Sequence, residues 1–166
     1  MTPTEASLRE AAAALLDRCR ASKLKLVTAE SLTGGLIAAT VSAVAGASDV
    51  LERALVVYSW DAKTQLLGVP RDLLEREGAV CEAVARAMAV GALNASHPFG
   101  SLAVAVTGVA GPGPAEGKPG GRVHLAAARR GVDGVLHLQR DYGDVGRAAV
   151  RLATVADALS LALSLA

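Results

Sequence analysis

The stretch Ser101–Ala110, SLAVAVTGVA, constrains the fold more than any other part of the chain. It carries no charge, is rich in valine and alanine, and is followed directly by a Gly/Pro-rich segment. It reads as a strand that is apolar on both faces. Such a strand needs cover on both sides, as an inner strand of a sheet between two helical layers has. The segments around it agree. Residues 3–21 show helical periodicity with Thr4 or Thr2 as cap; LKLVTA (24–29) reads as a strand and residues 33–45 as a helix ending near Gly46. ALVVYSW (54–60) is a second valine- and aromatic-rich strand. Two short helices follow, the first closed by Gly68 and the second running from Pro70 to Gly78; a longer helix then covers residues 82–95. RVHLAAARR and GVLHLQRDY read as an antiparallel hairpin turning at GVDG, and residues 146–165 as a closing helix. The order α-β-α-β-α-α-α-β-β-β-α predicts a three-layer α/β/α sandwich with a mixed sheet. With no internal repeat and no long linker, residues 1–166 read as one domain.

Composition excludes several functions. A net charge of +1 gives no general attraction to nucleic acid, and Tyr58, Trp60, Phe99 and Tyr142 form no stacking ladder. Cys19 and Cys81 lie far apart, and His97, His124 and His137 lack metal-ligand spacing. Neither a disulfide framework nor a metal site is expected. No apolar run reaches the roughly 20 uncharged residues that span a bilayer. The amino terminus carries Glu5, Glu10 and Asp17 and does not read as a signal peptide. A cytoplasmic protein without a membrane partner is the expectation.

Chemistry concentrates in a few places. In TAESLTGG (28–35), Ser31 or Thr33 can cap the following helix through a side-chain oxygen. The pair Gly34–Gly35 asks for more explanation, because each glycine in a helix costs about 1 kcal/mol relative to alanine. Glycines there also suit close approach of a phosphate or a developing oxyanion. The segment is not the G-x-S-x-G elbow, since Ala29 and Thr33 stand in place of both glycines. If Ser31 is a nucleophile it needs a base, and Lys63 in YSWDAK is the better candidate. The chain has only four lysines against thirteen arginines, and only lysine can lose its proton near neutral pH. The alternative is an exposed helix lysine. Tyr58 and Trp60, two apart, would share one face of a regular strand beside it. The loop TGVAGPGPAEGKPGG (107–121) fails the P-loop pattern at Pro112 and Pro119. It is either a mobile loop or a ligand contact through Thr107 and the backbone of 108–111. Arg147 and Arg151, four apart, share a face that could meet an anion or simply be solvated.

Taken together, TAESLTGG, VVYSWDAKTQLLGVP, GAVCEAVARAMAVGAL, LAVAVTGVAGPG, KPGGRVHLA and GRAAVR resemble, in order, the CinA C-terminal domain family of nicotinamide-nucleotide amidase (PncC-type) proteins, in its stand-alone form. The resemblance covers residues 5–165. It implies a five-stranded mixed sheet and metal- and cofactor-free hydrolysis of the carboxamide of nicotinamide mononucleotide to nicotinate mononucleotide and ammonia. Ser31 would be the nucleophile, Lys63 its base, and Tyr58 an orienting group. Thr33, Gly34, Gly35, Thr107, Gly108, Gly111 and Arg147 would bind substrate, the N–H groups near Gly34 and Gly35 meeting an oxyanion or a phosphate and Arg147 the phosphate. The sequence departs from the family pattern at Leu32 (commonly cysteine) and Trp60 (commonly asparagine). Pro114 and Glu116 break the usual glycine run, and GDVGR splits the usual Gly-Asp-Arg. A small-molecule amidase and a binding module that has kept the fold are both carried forward. The apolar helices leave a homodimer as a further expectation.

Overall fold

The computed structural model describes residues 2–166. Helix α1 spans Glu5–Ala21 and starts from a capping box in which Thr4 and Ser7 exchange side-chain and backbone hydrogen bonds. Strand β1 (Leu26–Glu30), helix α2 (Leu36–Ser42), a 3₁₀ turn (Ala47–Asp49) and strand β2 (Leu51–Val56) follow. Three helices follow, α3 (Trp60–Leu67), α4 (Arg71–Glu77) and α5 (Glu82–Ala95), of which α5 lies against the sheet. Strands β3 (Leu102–Gly108), β4 (Arg122–Arg129) and β5 (Leu136–Asp141) complete the sheet, and α6 (Arg147–Leu165) closes the chain. The strand order is β2-β1-β3-β4-β5. The first three strands run parallel, and β4 and β5 run antiparallel to their neighbours. This is the five-stranded mixed sheet and the α/β/α sandwich that the sequence predicts.

The apolar run at 101–110 is the centre of the sheet, and Leu102 to Val106 are fully buried. Strand alternation sorts its side chains by size. Leu102, Val104 and Val106 pack with Leu26, Val123 and Leu125 under α1, α2 and α6. Ala103 and Ala105 join Ala29, Ala126 and Ala128 under α3–α5. Small residues on that second face let α5 lie close to the sheet. Gly91 carries the same economy outward, because a Cβ there would run into the Leu67 carbonyl at the end of α3. Gly91→Ala is therefore expected to cost about 3 kcal/mol through forced backbone movement. That predicts a drop of about 10 °C in thermal midpoint, read by circular dichroism.

Helix α6 is apolar enough by length and hydropathy to cross a membrane. In the fold it packs instead on α1, β3 and β4, and buries Val150, Val155, Ala158, Leu159 and Ala162 there.

The chain leaves β1 towards β2 on one side and returns to β3 on the other. This reversal opens a crevice beyond the carboxyl ends of β1 and β3, where ligands collect in open α/β sheets. Ser31 follows β1 directly, and Thr107–Gly108 end β3.

Candidate active site

The Ser31 N–H donates to the Val106 carbonyl (3.2 Å), so the backbone of this residue is held as an extension of the β1–β3 ladder. Its hydroxyl meets Lys63 Nζ at 3.0 Å. Lys63 belongs to the first turn of α3, whose start is fixed by Ser59 Oγ accepting from the Ala62 N–H. Its side chain is 1% exposed and that of Ser31 8%. The ammonium also donates to the Val57 carbonyl at 2.8 Å and the Tyr58 carbonyl at 3.4 Å. Burial pushes the Lys63 pKa down to about 8, against a smaller upward pull from the negative charge of Glu116. A neutral amine has two N–H bonds and one lone pair. With two carbonyls taking the N–H groups, the lone pair is left to accept from the Ser31 O–H. This is the arrangement of a nucleophile and its base.

A cavity of about 330 Å³ opens over this pair, within the size range of small-molecule sites. Thr107, Gly108 and Gly111 line it, as do Tyr58, Trp60 and Arg147. Thr107 donates to the Ala79 carbonyl (2.8 Å) and so ties β3 to the segment before α5. Gly108 has no room for a side chain, because a Cβ would press on Val123 and the Arg122 carbonyl. Arg147, the first residue of α6, donates to the Gly111 carbonyl (2.9 Å) and to the Tyr58 hydroxyl (2.7 Å). Arg151 donates to the Thr33 carbonyl instead, so the two arginines do not act as one anion-binding pair.

Several expectations are corrected. Thr33, Gly34 and Gly35 lie outside the cavity lining. The Gly34 N–H donates to the Ser31 carbonyl and the Gly35 N–H to Glu30, so neither faces a ligand. The glycines serve the chain's path, with φ of +62° and +98°, a region that disfavours other residues. Helix α2 begins at Leu36, later than expected, and neither Ser31 nor Thr33 caps it. The cap is the buried carboxylate of Glu30, which accepts from the N–H groups of Gly35, Ile37 and Ala38 and from both threonines, 28 and 33. Tyr58 and Trp60 do not share a strand face, since β2 ends at Val56 and Trp60 opens α3. Trp60 stands in the cavity wall and leaves the volume above Ser31 open.

Two functional positions escaped the sequence reading. Glu30 precedes Ser31, but its partners lie up to eight residues ahead, beyond any standard capping pattern. Glu116, which looked like a break in a glycine run, reaches Trp60 Nε1 (3.0 Å) and the Ala79 N–H (2.7 Å). Among the described residues, no group of three or more His, Cys, Asp or Glu is placed to hold a metal ion.

The fold and site define a single-sheet α/β/α protein with a serine–lysine pair in a cavity at its topological switch point. The chain belongs to the CinA C-terminal domain family, whose sequence model matches residues 8–166. It is 48% identical over 153 residues to a CinA-like protein of Synechococcus sp. (strain RCC307), covering 90% of this chain and 36% of that one. A CinA-like protein of Syntrophus aciditrophicus (strain SB) is 44% identical over 93% of this chain and 36% of its own length. The chain thus spans about a third of the length of these relatives. Among solved structures, the competence/damage inducible protein CihA from Agrobacterium tumefaciens superposes with a TM-score of 0.91 at 43% identity, covering 99% of this chain and 98% of that one. An Escherichia coli protein of the CinA superfamily gives 0.89 at 31% identity, over 96% and 90% of the two chains.

Proposed function

We propose that the protein is an amidohydrolase that deamidates nicotinamide mononucleotide through Ser31 and Lys63. The observation that carries this reading is the 3.0 Å Ser31–Lys63 contact, with the other lysine donors fixed on two backbone carbonyls. Neutral Lys63 takes the Ser31 proton as Oγ attacks the carboxamide carbon. The resulting oxyanion needs donors aimed at it. The Leu32 N–H, next after the nucleophile at the cavity wall, has no hydrogen-bond partner among the described residues and is one such donor. Collapse of the intermediate breaks the C–N bond, and Lys63 returns its proton to the departing nitrogen, which leaves as ammonia. Water, deprotonated by the same amine, then attacks the Ser31 ester; the C–O bond breaks as Lys63 returns the proton to Ser31 Oγ, and the carboxylate product leaves. Arg147, held by Tyr58 and Gly111 at the cavity wall, meets the phosphate.

The test is ammonia release from nicotinamide mononucleotide by the purified protein. Ser31→Ala is expected to abolish it, whereas undiminished release from that variant rejects the nucleophile. Saturable binding without release identifies a binding module instead. Because the base must be neutral and its pKa is pushed down to about 8, kcat/KM is expected to climb tenfold per pH unit below about 8 and to level off above. A profile flat between pH 6 and 9 would rule out Lys63 as the base.

A further inference from the structure

Two of the departures from the family pattern, Trp60 and Glu116, touch each other although 56 positions separate them. The Trp60 indole N–H donates to Glu116 Oε1 at 3.0 Å. Glu116 Oε2 accepts from the backbone N–H groups of Ala79 (2.7 Å) and Val80 (3.3 Å), ahead of α5. Three donors on one carboxylate fix its position in the cavity wall. The arrangement is built at a cost. Glu116 has a φ of +51°, where a residue with a Cβ is disfavoured. Gly78 leaves the space it needs, because a Cβ there would come within 2.7 Å of Oε2. Among the described residues no cationic side chain lies within ion-pair distance of this carboxylate. Its charge is felt by Lys63, in the same cavity. The indole is itself held in place, with the Arg71 guanidinium 5.6 Å from the ring centroid and Arg71 paired to Asp61 and Glu75.

An aromatic surface beside a carboxylate with no direct ion-pair partner is the chemistry that recognises a cation. Resting on the amidase reading, we propose that Trp60 and Glu116 form a specificity wall that reads the positive charge of a planar pyridinium ring. The cavity then carries complementary groups for both charges of a zwitterionic nucleotide. Arg147 meets the anion, and the Trp60–Glu116 wall meets the cationic ring. A neutral ring bearing the same carboxamide and phosphate would satisfy only the first. A wall that merely pinned the loop would treat both ligands alike, and this separates the two roles.

The experiment compares binding of nicotinamide mononucleotide with that of benzamide riboside monophosphate, whose ring is neutral. Both are titrated by calorimetry into Ser31→Ala protein, which prevents turnover. The cationic ligand is expected to bind about five- to tenfold more tightly. Adding Glu116→Gln should bring the two affinities within about twofold by weakening only the cationic ligand. Trp60→Leu, which removes the ring, should reduce the preference independently of any effect of Glu116→Gln on folding. Trp60 is the only tryptophan in the chain, so its fluorescence should follow the same titrations in the proteins that retain it. Equal affinities before Glu116 is changed, or equal weakening of both ligands by Glu116→Gln, overturns the proposal. Absence of ammonia release in the unmodified protein would remove the reaction and leave the binding preference standing. Release without a preference would remove the wall and leave the reaction.

Discussion

Lys63→Met is expected to lower kcat/KM for amide hydrolysis by about 10²–10⁴-fold, the range a positioned general base contributes, while the protein remains folded. Methionine fills nearly the volume of the lysine stem, so the packing beneath Ser31 survives. The stability change at neutral pH is the balance of two opposing effects. Moving from an ordinary 10.5 to about 8 corresponds to about 3 kcal/mol spent on keeping the cation buried. Against that, methionine leaves the Val57 and Tyr58 carbonyls without their donor, at about 1–3 kcal/mol for a buried one. The net effect at pH 7 is expected to be small, and the pH dependence is the decisive readout. Below pH 8 both folded and unfolded chains carry the proton, and the cost is fully present. Between pH 8 and 10.5 the unfolded chain holds more protons than the folded one, so stability rises with pH across that window. Above 10.5 neither is protonated, and the gain is complete. Cys19, pushed up to about 11 by burial, and Tyr142, also pushed up, oppose this rise in alkali. Both are present in the variant too. The difference between urea-denaturation curves of the two proteins therefore isolates Lys63. It should shift by about 3 kcal/mol in favour of the lysine protein between pH 8 and 10.5. A difference that stays constant over that range contradicts a depressed Lys63 pKa.

What the sequence makes legible follows from the range of the interactions involved. Uncharged Ser101–Ala110 demands cover on both faces, and that local fact is enough to predict three layers. Helix ends at Gly68 and Gly78 are likewise readable, because the signal lies within the turn that uses it. The scarcity of lysine singled out Lys63, and the fold brings it to Ser31 across 32 positions. Local signals also mislead where two compete. The run through Tyr58 and Trp60 has strong strand propensity, yet Ser59 caps α3 in its midst and the cap prevails. The glycines after Thr33 fit an anion site as well as a left-handed turn. Only the fold shows that their N–H groups are already taken. Glu116 was beyond local reasoning altogether, since its partners lie 36 to 56 positions away.

Glu30→Gln is expected to be the most destabilising single change near the site, at about 4 kcal/mol or more, although it alters one atom. Glu30 is fully buried, and its two oxygens accept five hydrogen bonds. Every partner is a donor: three backbone N–H groups and two threonine hydroxyls. A carboxylate accepts at both ends, whereas an amide presents a donor at one of them. If the glutamine nitrogen takes the Oε2 position, it confronts Thr33 Oγ1 and the N–H groups of Gly35 and Ile37. If it takes the Oε1 position, the Ala38 N–H is opposed instead. Even in this cheaper orientation the Ala38 N–H loses its acceptor, at about 1–3 kcal/mol, and the hydrogen bonds that remain are no longer made to a charge, at up to about 1 kcal/mol each. Helix α2 has only seven residues, too few to persist without its cap and its packing. A loss of 4 kcal/mol should lower the thermal midpoint by about 10–15 °C in a chain of this size. Ser31 should be disturbed less, because its N–H is held by Val106 across the sheet rather than by α2. Activity per folded molecule, measured well below the midpoint, is then expected to fall far less than in Lys63→Met. Unchanged thermal stability in Glu30→Gln would show that the carboxylate is not what holds the strand–helix junction. A collapse of activity in fully folded protein would show that Glu30 positions the nucleophile directly.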